Sequence, residues 1–323
     1  MNSPVRRCLT VFLLATAFQL SAPCSRAWGC KGHQTVAIIA EKYLSPRAQR
    51  FVDRLLRENP IDPGLRRSCG SAGRDLLADG STWPDDVRNE LRNGSWHYID
   101  IPRGAPRGPL DPYCGASCLT KAIQEQFALL KNPRADATRR ADALRYLIHF
   151  IGDLHTPLHA STNNDMGGNC VPLRYFRRRP REHHNAFTPN LHAVWDTAIV
   201  ERDSKGAYPA AYADRLDQVF HAEADSWQHA GIHIDAWAWE SHDLAESVVY
   251  GELTPKIPIE PPRAAHSCSD DDHIGERLMQ MHLAVARSYQ EVAAPVAEKR
   301  LAQAGVRLAM LLNEAAASEA PRN

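Results

Sequence analysis

The chain has 323 residues, 44% of them hydrophobic and 24% charged, with 38 lysines and arginines against 38 aspartates and glutamates. Such a composition suits one large globular domain or two small ones, and it lacks the global basic field of a duplex-DNA binder. No segment after the N-terminal region reaches the ~20 apolar residues that a membrane-crossing helix needs.

In chain order, residues 1–27 read as a secretory signal. Arg6 and Arg7 form its basic start, Val11–Leu20 is mostly apolar, and Ser25-Arg26-Ala27 offers a small-x-small cleavage site. The segment holds three arginines and no acid, so the mature chain keeps 35 basic against 38 acidic residues and a net charge of −3. A secreted or periplasmic destination follows. Six cysteines remain: Cys30, Cys69, Cys114, Cys118, Cys170 and Cys268. An even count in an exported protein favours disulfides over metal ligation. Cys114 and Cys118, separated by Gly115-Ala116-Ser117, are the readiest pair, and the other pairings stay open.

Cleavage after Ala27 leaves Trp28 first in W-G-C-K-G-H. Its α-amine and carbonyl can chelate a metal with help from His33, although taken alone Trp28 reads more simply as an aromatic at a processing site. Gln34–Arg57 shows helical periodicity broken at Ser45-Pro46, an N-cap followed by proline at N1. A short helix around Ala72–Ala78 leads into W-P-D-D-V-R, where Asp85 and Asp86 are either helix-start carboxylates or a ligand. Trp96–Asp100 alternates in character and contains His97. The only strand signal lies near Tyr98–Ile101.

Ala135–Ile148 has no Gly or Pro and predicts a helix that runs into H-F-I-G-D-L-H-T-P-L-H. His149 and Asp153 then stand i and i+4 on one face. Pro157 ends or kinks the helix, so His159 leaves at a new angle. In N-N-D-M-G-G-N, Gly167 and Gly168 let the backbone turn so that Asn169 can face whatever the cluster binds. Arg177, Arg178, Arg179 and Arg181 follow in a basic run, and N-L-H-A-V-W-D sets His192 and Asp196 i and i+4 on another helix. Tyr208–Trp227 and Ile234–Tyr250 read as supporting helices, Leu253–Asp272 as a surface loop, Ile274–Asn313 as one or two more helices, and residues 315–323 as a disordered tail. There is no internal repeat, Gly-rich phosphate loop or G-x-S-x-G elbow.

Five histidines, three aspartates and a free N-terminus make nine candidate ligands. A zinc ion with an open water position takes three or four protein groups, so nine suit three ions with one shared carboxylate. Two ions about 3.5–4 Å apart are the common arrangement for phosphate-ester hydrolysis.

In these segments the chain closely resembles the secreted trinuclear-zinc nucleases (type I, the S-one/P-one type) and, more distantly, the zinc phospholipases C. The resemblance covers essentially the whole mature chain and rests on W-G-C-K-G-H at 28–33, W-P-D-D-V-R at 83–88, W-H-Y-I-D at 96–100, the 149–159 cluster, G-G-N at 167–169 and N-L-H-A-V-W-D at 190–196. It implies a mainly α fold, with a single compact multi-helix nuclease domain over 28–314 and few or no short strands. It also implies three zinc ions. Asp85, His97, His149 and Asp153 would hold one, Trp28 and His33 with bridging Asp153 the second, and His159, His192 and Asp196 the third.

The activity implied is hydrolysis of single-stranded DNA and RNA to 5′-phosphorylated products, with 3′-nucleotidase action, by water activated between the two close ions. Arg88 would bind substrate and neutralise charge on the phosphoryl oxygens, Asp100 would orient or deprotonate the water, and Asn169 would touch substrate. His155 would lie behind the ligands and orient Asp153 or a neighbouring carboxylate. Nucleic acids and nucleotides are the partners implied, with a monomer and no stable protein partner. The alternatives are a zinc phospholipase C and a non-catalytic exported zinc-binding protein. One stretch departs from the family pattern: Phe176–Pro189 is longer and more basic than the usual link between G-G-N and N-L-H, and is expected to draw in polyanions.

Overall fold

Helix α1 (Gly29–Lys42) begins directly after Trp28 and buries a face of Val36, Ala37, Ile39 and Ala40. The computed structural model describes residues 28–71, 75–183, 186–261, 267–269 and 273–319. The expected signal, the first turn of the expected 72–78 helix and residues 320–323 lie outside the described residues. Ser45 caps α2 (Pro46–Glu58) by accepting from the Ala48 amide, with Pro46 at N1, as its local sequence predicts. Asp75 caps the short α3 (Leu76–Gly80) in the same way. Helices α4 (Trp83–Leu91) and α5 (Leu119–Lys131) lead to α6 (Ala137–Leu154).

From Arg140 to Leu154 every residue of α6 except Asp142 is buried. A helix enclosed all round lies at the centre of a fold, and its polar residues need partners there. Beyond it come α7 (Leu191–Ala193), a widened π segment at Val194–Ala198, α8 (Ile199–Asp203), α9 (Pro209–His229) and α10 (Ile234–Leu244). Helix α11 (Ile274–Met279) precedes α12 (Arg287–Ala317), which accommodates Pro295 and packs against α1, α9, α2 and α6. Strands are few: β1 (Arg174–Tyr175) runs parallel to β4 (Ala284–Val285), and β2 (Arg181–His183) forms a hairpin with β3 (Ala186–Thr188). The fold is mainly α. Disulfides Cys30–Cys69, Cys114–Cys118 and Cys170–Cys268 pair all six cysteines.

Two expectations need correction. Tyr98–Ile101 is not a ladder strand, although Ile99 and Ile101 do point inward and Tyr98 and Asp100 outward. Its partner is the irregular segment 159–162: Ile99 donates to the His159 carbonyl and Thr162 donates to that of Ile101. The expected tail is also too long. Ala315 and Ala316 are buried and helical, and Glu319 reaches Arg140 and Arg54, because alanines extend a helix readily and the acid finds cations at its end.

Helices α1 and α12 cross closely at Gly305, where an added Cβ would lie 2.5 Å from Ile39 Cγ2 and 3.1 Å from the Val36 carbonyl. Gly305→Ala should therefore cost about 1–3 kcal/mol by overpacking, read as a lower urea midpoint at unchanged slope.

Candidate metal centre

Three elements converge on α6. The first turn of α4 supplies Asp85, a 3-10 turn at Gly94–His97 supplies His97, α1 supplies His33, and the last turns of α6 supply His149 and Asp153. His97 Nδ1 lies 3.1 Å from both His149 Nε2 and Asp153 Oδ2. Asp85 Oδ1 is 3.9 Å from each of those two ring nitrogens, and His149 Nε2 is 3.4 Å from Asp153 Oδ2. Ligand atoms around a tetrahedral ion with bonds of ~2.0–2.1 Å stand about 3.3 Å apart, so this set is close to the right size.

Asp153 turns its other oxygen to a second group, with Oδ1 3.3 Å from His33 Nε2. The His33 ring stacks on His149 with centroids 3.9 Å apart. Gly152 permits this approach: an added Cβ would lie 2.7 Å from His33 Nδ1 and 3.7 Å from Trp28 Cδ1. Trp28 is fully buried beside them, and its carbonyl accepts from the Gly32 amide. The third group takes His159 from the 3-10 turn Pro157–His159, and His192 and Asp196 from the α7–π segment. His192 Nε2 is 2.9 Å from Asp196 Oδ2, and His159 Nε2 is 3.7 Å from Asp196 Oδ1. Within each of three sets (His33, His149 and Asp153; Asp85, His97 and His149; His159, His192 and Asp196) the donor atoms lie within 4.8 Å of one another.

Backbone carbonyls orient three of the rings. The Nδ1–H groups of His149, His159 and His192 donate to Ser81, His97 and Gly167 at 2.7, 2.6 and 2.7 Å. This fixes the tautomer and leaves each Nε2 facing the cluster. Gly167 and Gly168 adopt φ of +59° and +84° to bring that carbonyl in, a conformation that favours glycine. Asp165 holds the same loop, accepting from the Asn163 and Gly168 amides and the Tyr250 hydroxyl.

The electrostatics suit cations. Burial pushes Asp153 up, yet His149, His33 and His97 hold it well below the usual carboxylate range, and His192 and His159 likewise hold Asp196 down against burial. Burial keeps His149 well below the ordinary imidazole value despite Asp153. Burial also lowers His159, but Asp196 and Asp153 outweigh it and raise the imidazole to about 9, a proton that a bound metal would displace. Two of the ring nitrogens that face the carboxylates, His33 Nε2 and His159 Nε2, are buried without hydrogen-bond partners. Orphaned imidazole nitrogens of this kind, around ionised carboxylates, fit metal coordination.

Arg88, mostly buried, sits 3.4 Å from Asp85. Desolvation lowers its pKa, while the charges of Asp153 and Asp196 support it, so it lies within electrostatic reach of all three groups. Asp100 opens onto the surface, but the protein packed around its carboxyl, with Asp165 nearby, lifts it to about 6 against the pull of His159. Asn169 is half-buried and donates to the Met166 carbonyl at 2.8 Å. Asp86 is excluded from the cluster, since Arg67 Nε and the Ser68 amide take its two oxygens at 2.9 and 2.8 Å.

His155 does not orient Asp153. Two residues further along a helix is more than half a turn away, so its ring faces α12, where Nε2 meets Arg307 Nη1 at 2.9 Å and Nδ1 donates to Ile151. It belongs to a buried network of Arg300, Arg307 and Glu240. Gly152, Asp165 and Tyr250 do not stand out in the sequence. Their only signals there are a glycine within the helical cluster and an acid inside the G-G-N loop.

The sequence model of the S1/P1 nuclease family matches residues 28–317. Endonuclease 4 of Arabidopsis thaliana is 28% identical, covering 97% of this chain and 96% of its own length. Nuclease S1 of Aspergillus oryzae is 28% identical over 88% of this chain and 91% of its own. Nuclease P1 of Penicillium citrinum is 30% identical over 54% and 59%. The match begins at Trp28 and takes in every residue of the three donor groups, and on that extent the chain belongs to the S1/P1 nuclease family.

Proposed function

We propose that the protein is an exported zinc-dependent endonuclease. It cleaves single-stranded DNA and RNA to 5′-phosphorylated products and removes 3′-phosphates from nucleotides. Its family is one of hydrolytic phosphodiesterases, and three His/Asp groups here can bind metal. The observation that carries the reading is Asp153, which offers one oxygen to His33 and the other to His97 and His149. Such a carboxylate suits a bridge between two neighbouring ions.

Asp85, His97, His149 and Asp153 would hold one zinc, Trp28 through its terminal amine and carbonyl, with His33 and Asp153, the second, and His159, His192 and Asp196 the third. When bound, zinc supplies Lewis-acid polarisation of the phosphate and a low-pKa water. The third group has three protein ligands, a number that leaves room for substrate oxygen. Arg88 presents a guanidinium to the phosphoryl oxygens and stabilises the charge that grows on them. Asp100 accepts the proton from the attacking water, and Asn169 steadies the substrate with its amide. Three disulfides support an oxidising, exported setting.

Zinc content and single-strand cleavage test this reading together. Chelation should abolish cleavage of single-stranded DNA, zinc should restore it, and phosphatidylcholine should stay intact throughout. Cleavage that survives full removal of metal contradicts the proposal. A second expectation concerns pH. A carboxyl raised to about 6 is protonated below that value, so an Asp100 base loses activity as pH falls through 6. Asp100→Asn should lower kcat by about 10²-fold or more and remove that acid limb, as a pH–rate profile would register.

A further inference from the structure

The basic stretch after Asn169 is a structured arm mounted on the metal centre. The His192 amide donates to the Gly168 carbonyl at 3.3 Å, which ties a donor group of the third set to the root of the arm. The Leu191 amide donates to Val171 and the Leu173 amide to Pro189, at 3.0 and 3.3 Å, with a bridge between Pro172 and Asn190. Residues 171–173 and 189–191 thus form a two-stranded stalk whose root holds Asn169 on one strand and His192 on the other. Above it, Tyr175 and Arg178 exchange backbone hydrogen bonds around a tight turn, and Arg181 opens the β2–β3 hairpin.

The arm is braced rather than loose. Tyr175 donates to the carbonyl of Ala198, two residues from Asp196, at 3.1 Å. Arg202 stacks on Phe176 with its guanidinium carbon 3.6 Å from the ring centroid. Phe187 is buried against Gly275, and Cys170–Cys268 ties the root to the far segment. Tyr175 is six residues from Asn169, at most about 20 Å along the chain.

Arg177, Arg178, Arg179 and Arg181 are all exposed, and among the described residues none has an acidic partner. Glu182 is the only acid between Phe176 and Pro189. Exposed guanidiniums without acidic partners, carried on a stalk rooted at the third donor group, suit the phosphates of a nucleic-acid backbone. Among the described residues, none of the exposed large hydrophobic side chains lies on the arm, so it shows no apolar anchor of the kind that a lipid surface would engage. We infer that this arm is an exosite for the sugar-phosphate backbone of a single strand several nucleotides long, held while another part of it occupies the metal centre. The inference rests on the nuclease reading above and adds that substrate length is sensed by the arm.

The test uses the zinc-loaded enzyme and the variant R177Q/R178Q/R179Q/R181Q, with an oligothymidylate of ~10–20 nucleotides and a thymidine dinucleotide as substrates. The variant should raise KM for the long strand about tenfold at unchanged kcat and leave the dinucleotide unaffected. Its salt dependence should be shallower by about 0.7 in log–log slope for each phosphate that the arm no longer neutralises. Full zinc content will establish that the variant is folded. The matching Arg→Lys variant, which keeps the charges, should retain most of the long-strand preference. Equal changes on both substrates, or none on either, overturn the exosite. So does weakened binding to phosphatidylserine vesicles with unaltered oligonucleotide kinetics, which would reassign the arm to membranes. If the wild-type enzyme cleaves neither substrate, the nuclease reading itself fails and the exosite with it.

Discussion

Three carboxylates at the base of a helical core set the terms for everything around them. Asp153 and Asp196 are essentially inaccessible, Asp85 nearly so, and Arg88 is a guanidinium that sits beside Asp85 and feels the charges of the other two. Burying that much negative charge is costly unless cations compensate. Asp153 also lies in the last turn of α6, where the helix dipole disfavours an anion. Metal ions answer both problems at once, and the imidazoles gathered around the carboxylates are the donors such ions take.

Positioning is accomplished largely by backbone. Carbonyls of Ser81, His97 and Gly167 each hold one imidazole, so segments remote in sequence share responsibility for a single cluster. Asp165 and Tyr250 act one step further out by fixing the loop that presents the Gly167 carbonyl. Close packing does the rest: Gly152 lets α6 touch His33, and Gly29 lies against Asp196 and Thr197, so the start of α1 is wedged between the second and third groups. The loop that presents the Gly167 carbonyl also leads outward into the arginine arm, which makes the arm an extension of the centre.

Much of this could be read from the residues because the candidate metal donors recur at helical spacing. His149 with Asp153 is an i,i+4 pair whose geometry follows from the helix alone, and His192 with Asp196 has the same spacing although Asp196 sits in the π segment. The Ser45 cap and the Cys114–Cys118 loop are equally local. What the sequence left open was decided by long-range packing. Asp85 and Asp86 are neighbours of identical chemistry, and Arg67 with the Ser68 amide determines which is withdrawn from the cluster. The face that His155 presents depends on α12, whose arginines lie some 150 residues away. Tyr98–Ile101 alternates like a strand but has only an irregular segment to pair with. The end of α12 looked frayed because the acid-pairing arginines that hold Glu319 lie on α2 and α6.

The central claim is that one carboxylate serves two ions. It is tested most directly by metal content in two variants, Asp153→Ala and Asp196→Ala, each measured on folded, secreted protein. Loss of about two zincs per chain from the Asp153 variant and about one from the Asp196 variant is the predicted result. An Asp153 variant that loses no more metal than the Asp196 variant would show that Asp153 is not shared, and the arrangement of the centre would have to be redrawn.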